Sequence, residues 1–545
     1  MMKRKCLSVL LAVGLICLVA CQGLVAQEGL ALYDMTFELA DASEVLVHSF
    51  RHETIDLTAA NGAIVQGPVS GIIAVPNTDE PRPLVVIFHG ASRMGHANIN
   101  ARVYAGFDYL VRQLAAEGFV ALSINVNANY AFMLGEPLYT DAWAFETFDA
   151  HIAALERANA GEHASHVIDL AGRVDLTQIH LIGHSRGGEI AAGLARRERE
   201  AGQNRIQSII HLATAAGTFF LFPDDPNFDP EADAAQFAQP DVPTAIILPE
   251  FDGDIVGLDG QGIFDEIFGA AQNQTFANAV FLRGAGHNFF NRMIEIDDRP
   301  NAAFSDDEST WLSREEHEEF IMHYAAAFLA AATGQREAFG TFNPAEPQPS
   351  TMFGFDVMAS TYFPGVQAFA ELPVNFVQSI PLQSVGHGLF NHPGVLGRPG
   401  QALELYAVAW EDRTSSVTFD VLIEDVSQAA AISLFVGIDA SDVRNTMGEY
   451  QSVTLALIDR DGAEQSIVIP RGTSALFTHL GEQGQTEGFP EGEIIEFWLG
   501  YTPLGEIRVP LHDFDALDLS RLAQLSLRFD QTDAGAMMLS GIYLV

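Results

Sequence analysis

The chain has 545 residues, more than one ordinary core holds, so two domains are the starting expectation. With 48% hydrophobic and 18% charged residues, its composition excludes a largely disordered chain. Acidic residues outnumber basic ones 71 to 28, and the net charge of −43 repels phosphate backbones and argues against nucleic acid as a partner.

Residues 1–5 read Met-Met-Lys-Arg-Lys, and Lys3 and Lys5 are the only lysines in the protein. An uncharged apolar run over residues 6–20 follows, so the two together form the charged and apolar regions of an export signal. The run ends Leu18-Val19-Ala20-Cys21, which resembles the lipobox of bacterial lipoproteins. That resemblance implies a signal peptide over residues 1–20, lipidation of Cys21 and membrane attachment, with a tether over residues 21–44. Two other readings stay open. Cleavage after Ala26 would release a secreted protein, and residues 6–27 carry no charge over nearly the length that spans a bilayer. All three cysteines, Cys6, Cys17 and Cys21, fall in this segment. The mature chain therefore has no internal disulfide, thiol nucleophile or cysteine-based metal site. Neither a metal nor a cofactor is expected.

Residues 83–88, Pro-Leu-Val-Val-Ile-Phe, form a continuous apolar run, as expected of a strand buried on both faces. A helical stretch over 109–116 stops at Gly118, and a second buried strand spans 119–124. Residues 141–158 read as helix, 179–182 as strand and 188–200 as an amphipathic helix. Further strands fall at 206–212, 244–248 and 279–282, and a closing helix runs over 314–332. Strands alternating with helices predict a mainly parallel, doubly wound sheet over residues 45–335. Residues 336–350 contain Pro344, Pro347 and Pro349 and read as a linker. Beyond them, alternating stretches such as 416–423 and 453–458 are separated by turn signals, including Asp461-Gly462. An all-β sandwich over 351–545 is the expectation.

The chemistry gathers at three strand ends. Gly183-His184-Ser185-Arg186-Gly187-Gly188 contains G-x-S-x-G directly between a buried strand and a helix. A sharp turn there needs glycines, exposes the serine hydroxyl and aims the Arg186 N–H, at a helix start, toward developing negative charge. A serine hydroxyl needs a base. Of the 17 histidines, His287 stands out, in the loop Gly284-Ala285-Gly286-His287 after the last strand. The histidine in turn needs a carboxylate to hold its tautomer. The loop Pro249-Glu250-Phe251-Asp252-Gly253-Asp254-Ile255 offers three; Asp252 is preferred, Asp254 is the alternative, and Glu250 reads as a strand-end residue.

The order Ser185, Asp252, His287 resembles that of the α/β-hydrolase superfamily. The elbow is similar to that of chlorophyllases, and the layout to dienelactone hydrolases, cutinase-like polyester hydrolases and platelet-activating-factor acetylhydrolases. The resemblance implies a serine esterase with a triad of Ser185, Asp252 and His287. It also implies an oxyanion hole from the N–H groups of Arg186 and, in the loop His89-Gly90-Ala91-Ser92, of Ala91. The substrate would be a small or polymeric ester. A peptidase or thioesterase with the same triad stays open, as does a non-catalytic surface binding protein.

Three features are weaker. Phe219, Phe220, Leu221 and Phe222 open an insertion that reads equally as a lid or a surface excursion. Asp225, Asn227, Asp229, Glu231 and Asp233 alternate like calcium ligands, but Pro226 and Pro230 interrupt them, so a solvated acidic loop is expected. The closing strands of the second domain resemble those of jelly-roll, carbohydrate-binding-like modules, which implies a possible glycan partner. Trp410 and Trp498 are the only tryptophans there, and core packing is their default.

Overall fold

The computed structural model describes residues 29–58, 62, 64–130, 132–133, 136–137, 141–162, 168–216, 237–255, 258–270, 274–302, 307–372, 406–487, 494–500 and 503–545. The first part of the chain builds one large sheet from β1 (Asp34–Met35), β2 (Leu46–Thr58), β3 (Ile64–Val75), β4 (Arg82–Phe88), β5 (Val120–Ile124) and β6 (Val174–His184). It continues with β7 (Ile206–Leu212), β8 (Thr244–Pro249), β9 (Ala277–Leu282), β10 (Thr351–Met352) and β11 (Phe355–Tyr362). The eleven strands lie in the order β1-β10-β11-β9-β8-β7-β6-β4-β5-β3-β2. Strands β4 to β9 run parallel, whereas the β2–β3 hairpin and β11 join antiparallel at the two sides.

The apolar runs follow from burial on both faces. Val85 and Ile87 of β4 face one layer, with Leu110 and Leu114 of α1 (Asp108–Ala116) and Phe320, Tyr324 and Phe328 of α5 (Arg314–Ala330). Leu84, Val86 and Phe88 face the other, against Phe148 and Ile152 of α2 (Asp141–Asn159) and Ile190 and Leu194 of α3 (Gly187–Glu200). Helix α4 (Gly260–Gly269) covers β8 and β9. Helix α5 starts at a capping box, in which Ser313 Oγ accepts the Glu316 amide at 3.2 Å and Glu316 accepts the Ser313 amide at 2.6 Å.

The second part holds two facing antiparallel sheets and a hairpin. One sheet comprises β12 (Gln367–Ala368), β13 (Tyr406–Trp410), β15 (Ala431–Ile438), β20 (Gly505–Pro510) and β22 (Gly535–Leu544). The other comprises β14 (Ser416–Asp420), β16 (Val453–Asp459), β17 (Glu464–Ile469) and β21 (Leu522–Arg528); β18 (Gly481–Glu487) and β19 (Ile494–Gly500) form the hairpin. Ile432 and Leu434 of the first sheet and Leu455, Leu457 and Leu527 of the second share one core. Trp410 is buried in it, stacked on Phe529 with ring centroids 4.3 Å apart. A mainly parallel α/β sheet followed by an antiparallel β-rich part is the architecture expected.

The join between the parts differs from the expectation. Thr351–Tyr362, expected to open the sandwich, completes the large sheet instead, because β11 pairs with β9 and covers backbone groups that would otherwise form an open edge. The expected linker is also packed. Phe342 is buried against Phe276 and Phe328, and the buried Arg508 donates to the carbonyls of Asn343, Glu346 and Gly340 at 2.8, 3.2 and 3.3 Å. Glu506 accepts from Arg508 at 2.9 Å and from the Thr361 amide at 2.8 Å. The end of the expected tether is docked as well. Leu30 enters the sandwich core, while Met35 enters the core of the large sheet and β1 pairs with β10.

Candidate active site

Parallel strands present their carboxyl ends along one edge, and ligand sites collect there. Strand β4 ends at Phe88 before His89, β6 at His184 before Ser185, β8 at Pro249 before Asp252, and β9 at Leu282 before His287.

Ser185 sits between β6 and α3 with φ of 55°, a left-handed conformation that costs a non-glycine residue on the order of 1 kcal/mol. The turn is held on both sides. The Ser185 amide donates to Leu212 O at 3.0 Å, and Ser185 O accepts from Gly188 N at 3.0 Å and from Thr214 Oγ1 at 3.1 Å. The glycines have steric reasons. A β-carbon on Gly183 would strike the Gly187 carbonyl, one on Gly187 the carbonyl of Phe88, and one on Gly188 the hydroxyl of Thr214. Gly90, in the loop after β4, has the same reason: its β-carbon would stand 2.5 Å from Ser185 Cβ and 3.1 Å from Ser185 Oγ.

That loop is rigidly held. His89 Nε2 accepts the Val126 amide at 3.1 Å, which leaves Nδ1–H to donate to Gly90 O at 2.8 Å. Tyr130 Oη donates to His89 O at 3.0 Å. Burial pushes His89 down to about 4, so the ring stays neutral in this role. Ala91 follows, half-buried, and Ser92 caps a short helix by accepting the Gly95 amide. Arg186, at the start of α3, pairs with Glu189 at 2.9 Å.

The preferred carboxylate is the one that turns inward. Asp252 is 1% exposed and its Oδ2 lies 3.0 Å from His287 Nδ1, whereas Asp254 is exposed. Asp252 Oδ1 accepts the amides of Asp254 at 3.1 Å and Ile255 at 2.6 Å. Burial raises the Asp252 carboxyl above the usual range. Burial would lower the His287 imidazole, but the carboxylates of Asp252, Asp254 and Asp298 outweigh it and raise the group to about 9. The residue before the serine joins the two loops: His184 Nε2 donates to His287 O at 2.9 Å, with ring centroids 4.9 Å apart.

Sequence reasoning missed three residues. Asp298, buried, accepts the Gly253 and His287 amides on Oδ2 at 2.8 and 2.9 Å and the Asn288 amide on Oδ1 at 2.9 Å. His317 of α5 accepts the Gly286 amide on Nε2 at 2.9 Å. His479, from the β-rich part, lies 3.7 Å from Glu250, which accepts the Gly284 amide at 2.8 Å. Asp298 lies in Asp297-Asp298-Arg299-Pro300, which has the texture of a solvated loop, so no local signal marks it. Cys21 and residues 217–236, with the apolar insertion and alternating acids, lie outside the described residues, as does the side chain of Trp498. Among the described residues, no group of three or more His, Cys, Asp or Glu side chains comes together as metal ligands do.

No protein-family model and no curated protein matches the chain. Among solved structures, the chain is similar to an esterase of the fungus Rhizomucor miehei, at 18% identity over 54% of this chain and 85% of that one, with a TM-score of 0.32. It is similar also to an esterase of Pyrobaculum calidifontis, at 20% identity over 54% of this chain and 87% of that one, with a TM-score of 0.32.

Proposed function

We propose that the chain is an exported, membrane-anchored serine hydrolase that cleaves carboxylic esters through an acyl-serine intermediate. One observation carries the reading: Ser185 at a left-handed strand-to-helix turn shares a strand edge with a buried Asp252–His287 pair 3.0 Å apart, and His184 bonds to the backbone of that histidine. Export and attachment through Cys21 are supported by the leader sequence.

Asp252 holds the proton of His287 on Nδ1 and leaves Nε2 as the base. Ser185 Oγ attacks the ester carbonyl as His287 takes its proton. The N–H groups of Arg186 and Ala91 hold the oxyanion, and His287 returns the proton to the leaving alcohol. Water, deprotonated by the same imidazole, then attacks the acyl-serine and releases the carboxylic acid and free Ser185.

Hydrolysis of p-nitrophenyl acetate, butyrate and octanoate by residues 27–545, beside Ser185→Ala, tests the reading. The substitution is expected to lower kcat by about 10⁴-fold or more. Equal rates in the two proteins would overturn the mechanism. A folded protein inactive on all three esters would move the site toward amide or thioester substrates.

A further inference from the structure

Asp298 occupies an unusual place among the buried carboxylates. Its acceptors are taken by backbone amides of two different loops: Gly253, next to Asp252, and His287 and Asn288 themselves. The approach is close enough to require small neighbours. A β-carbon on Gly253 would strike the Asp298 carbonyl, and one on Gly286 would lie 2.5 Å from Arg299 Cγ and 3.3 Å from Asp298 Oδ1.

Its charge is not spent on the adjacent arginine. The Arg299 guanidinium turns to Asp297, at 2.8 and 2.7 Å, and to the carbonyl of Leu312 at 2.6 Å, with the rings of Phe289 and Trp311 beside it. Among the described residues, the other titratable groups around Asp298 and His287 are few. Asp252 and Asp254 face His287 from the acid loop, and His184 faces it from the end of β6. His317 of α5 faces Asp298 as a ring that burial keeps neutral at ordinary pH.

We propose that Asp298 is the positioning residue of this site, holding the histidine loop against the acid loop so that His287 meets Asp252, and adding its negative charge to the field on the imidazole. The proposal rests on the triad reading above. A carboxylate fixed by three amides supplies a fixed charge that needs no reorganisation when the imidazolium forms.

Asp298→Asn keeps the shape, removes the charge and turns one amide donor against a backbone donor. The expected result is a fall in the plateau kcat of about 10-fold or more with KM little changed, from misplacement of the base. The midpoint of the pH–rate profile should also fall by about one unit. Asp298→Glu keeps the charge but moves it, so it should keep the wild-type midpoint and lose plateau rate. An Asp298→Asn protein with a lower Tm but wild-type plateau and midpoint would reduce the residue to a structural staple and overturn the proposal, as would an Asp298→Glu protein with full plateau rate. Titration of the His287 ring nitrogens by NMR in Ser185→Ala reads the same midpoint without turnover. An unshifted midpoint there on adding Asp298→Asn overturns the proposal, whereas activity surviving Ser185→Ala overturns the triad reading instead.

Discussion

The two carboxylate oxygens of Asp252 are divided between two tasks: Oδ2 meets His287 Nδ1 at 3.0 Å, while Oδ1 accepts the amides of Asp254 and Ile255. The loop therefore fixes the carboxylate, and the carboxylate fixes the ring. Asp252→Asn is expected to lower kcat by about 10⁴-fold, because the amide no longer enforces the Nδ1–H tautomer. Asp254→Asn removes an exposed charge and is expected to cost less than about 10-fold. Steady-state kinetics of the two variants on one ester decides between them; a larger loss in Asp254→Asn would reassign the acid.

The pH dependence has a definite sign. Burial acts against the charged imidazole, but the three carboxylates prevail and raise His287 to about 9. Only the neutral ring accepts the serine proton, so kcat/KM should be low at neutral pH and rise through the alkaline range toward a plateau above that value. Asp254→Asn should move the rise to lower pH. A profile already flat from pH 6 upward would contradict the field argument.

Gly90 faces Ser185 with nothing to spare. Gly90→Ala puts a methyl 2.5 Å from Ser185 Cβ, so either the elbow or the loop after β4 must shift. A displacement of that kind is expected to cost about 100-fold in kcat/KM, with about 1–3 kcal/mol of stability lost to overpacking. Kinetics paired with denaturant unfolding would separate the two effects.

The Glu506–Arg508 pair on β20 of the β-rich part is fully buried, and it bonds across the join to Thr361 and Asn343 of the first part. Arg508→Met leaves Glu506 as an uncompensated buried charge, at an expected loss of about 3–5 kcal/mol. Adding Glu506→Gln to that variant should recover part of the loss. Chemical denaturation of the single and double variants checks this, and a single variant as stable as the wild type would contradict it.

Much of the architecture is legible locally. Strand β4 announces itself as six successive apolar residues because both its faces are covered, and Ser185 because strand, glycines and helix abut in ten residues. The β2–β3 hairpin is not announced, since β2 buries only Phe50 and Leu57 and otherwise alternates irregularly between exposed and half-buried positions. Strand β11 lies in the stretch expected to be sandwich and joins the large sheet instead, because only its pairing with β9, some eighty residues earlier, decides where it belongs. Asp252 is legible from its loop, and its inward turn is not. Asp298 is legible in neither sense, since its role comes from three amides that are distant or unremarkable in sequence.

The pairing of β1 with β10 joins Asp34 to Thr351 and Met35 to Met352. A chain synthesised from its N-terminus makes β1 early and its partner more than 300 residues later, and Leu30 waits longer still, for Val468. Closing so long a loop is slow, so this early segment is among the last to settle. Until then the edge of the large sheet stays open, with β11 and β10 still to come. A ribosome stalled before residue 351 would therefore hold Ser185, Asp252 and His287 already translated in a sheet not yet sealed, and a protease added at that stage should find residues 29–40 easier to cut than the strands from β4 to β9.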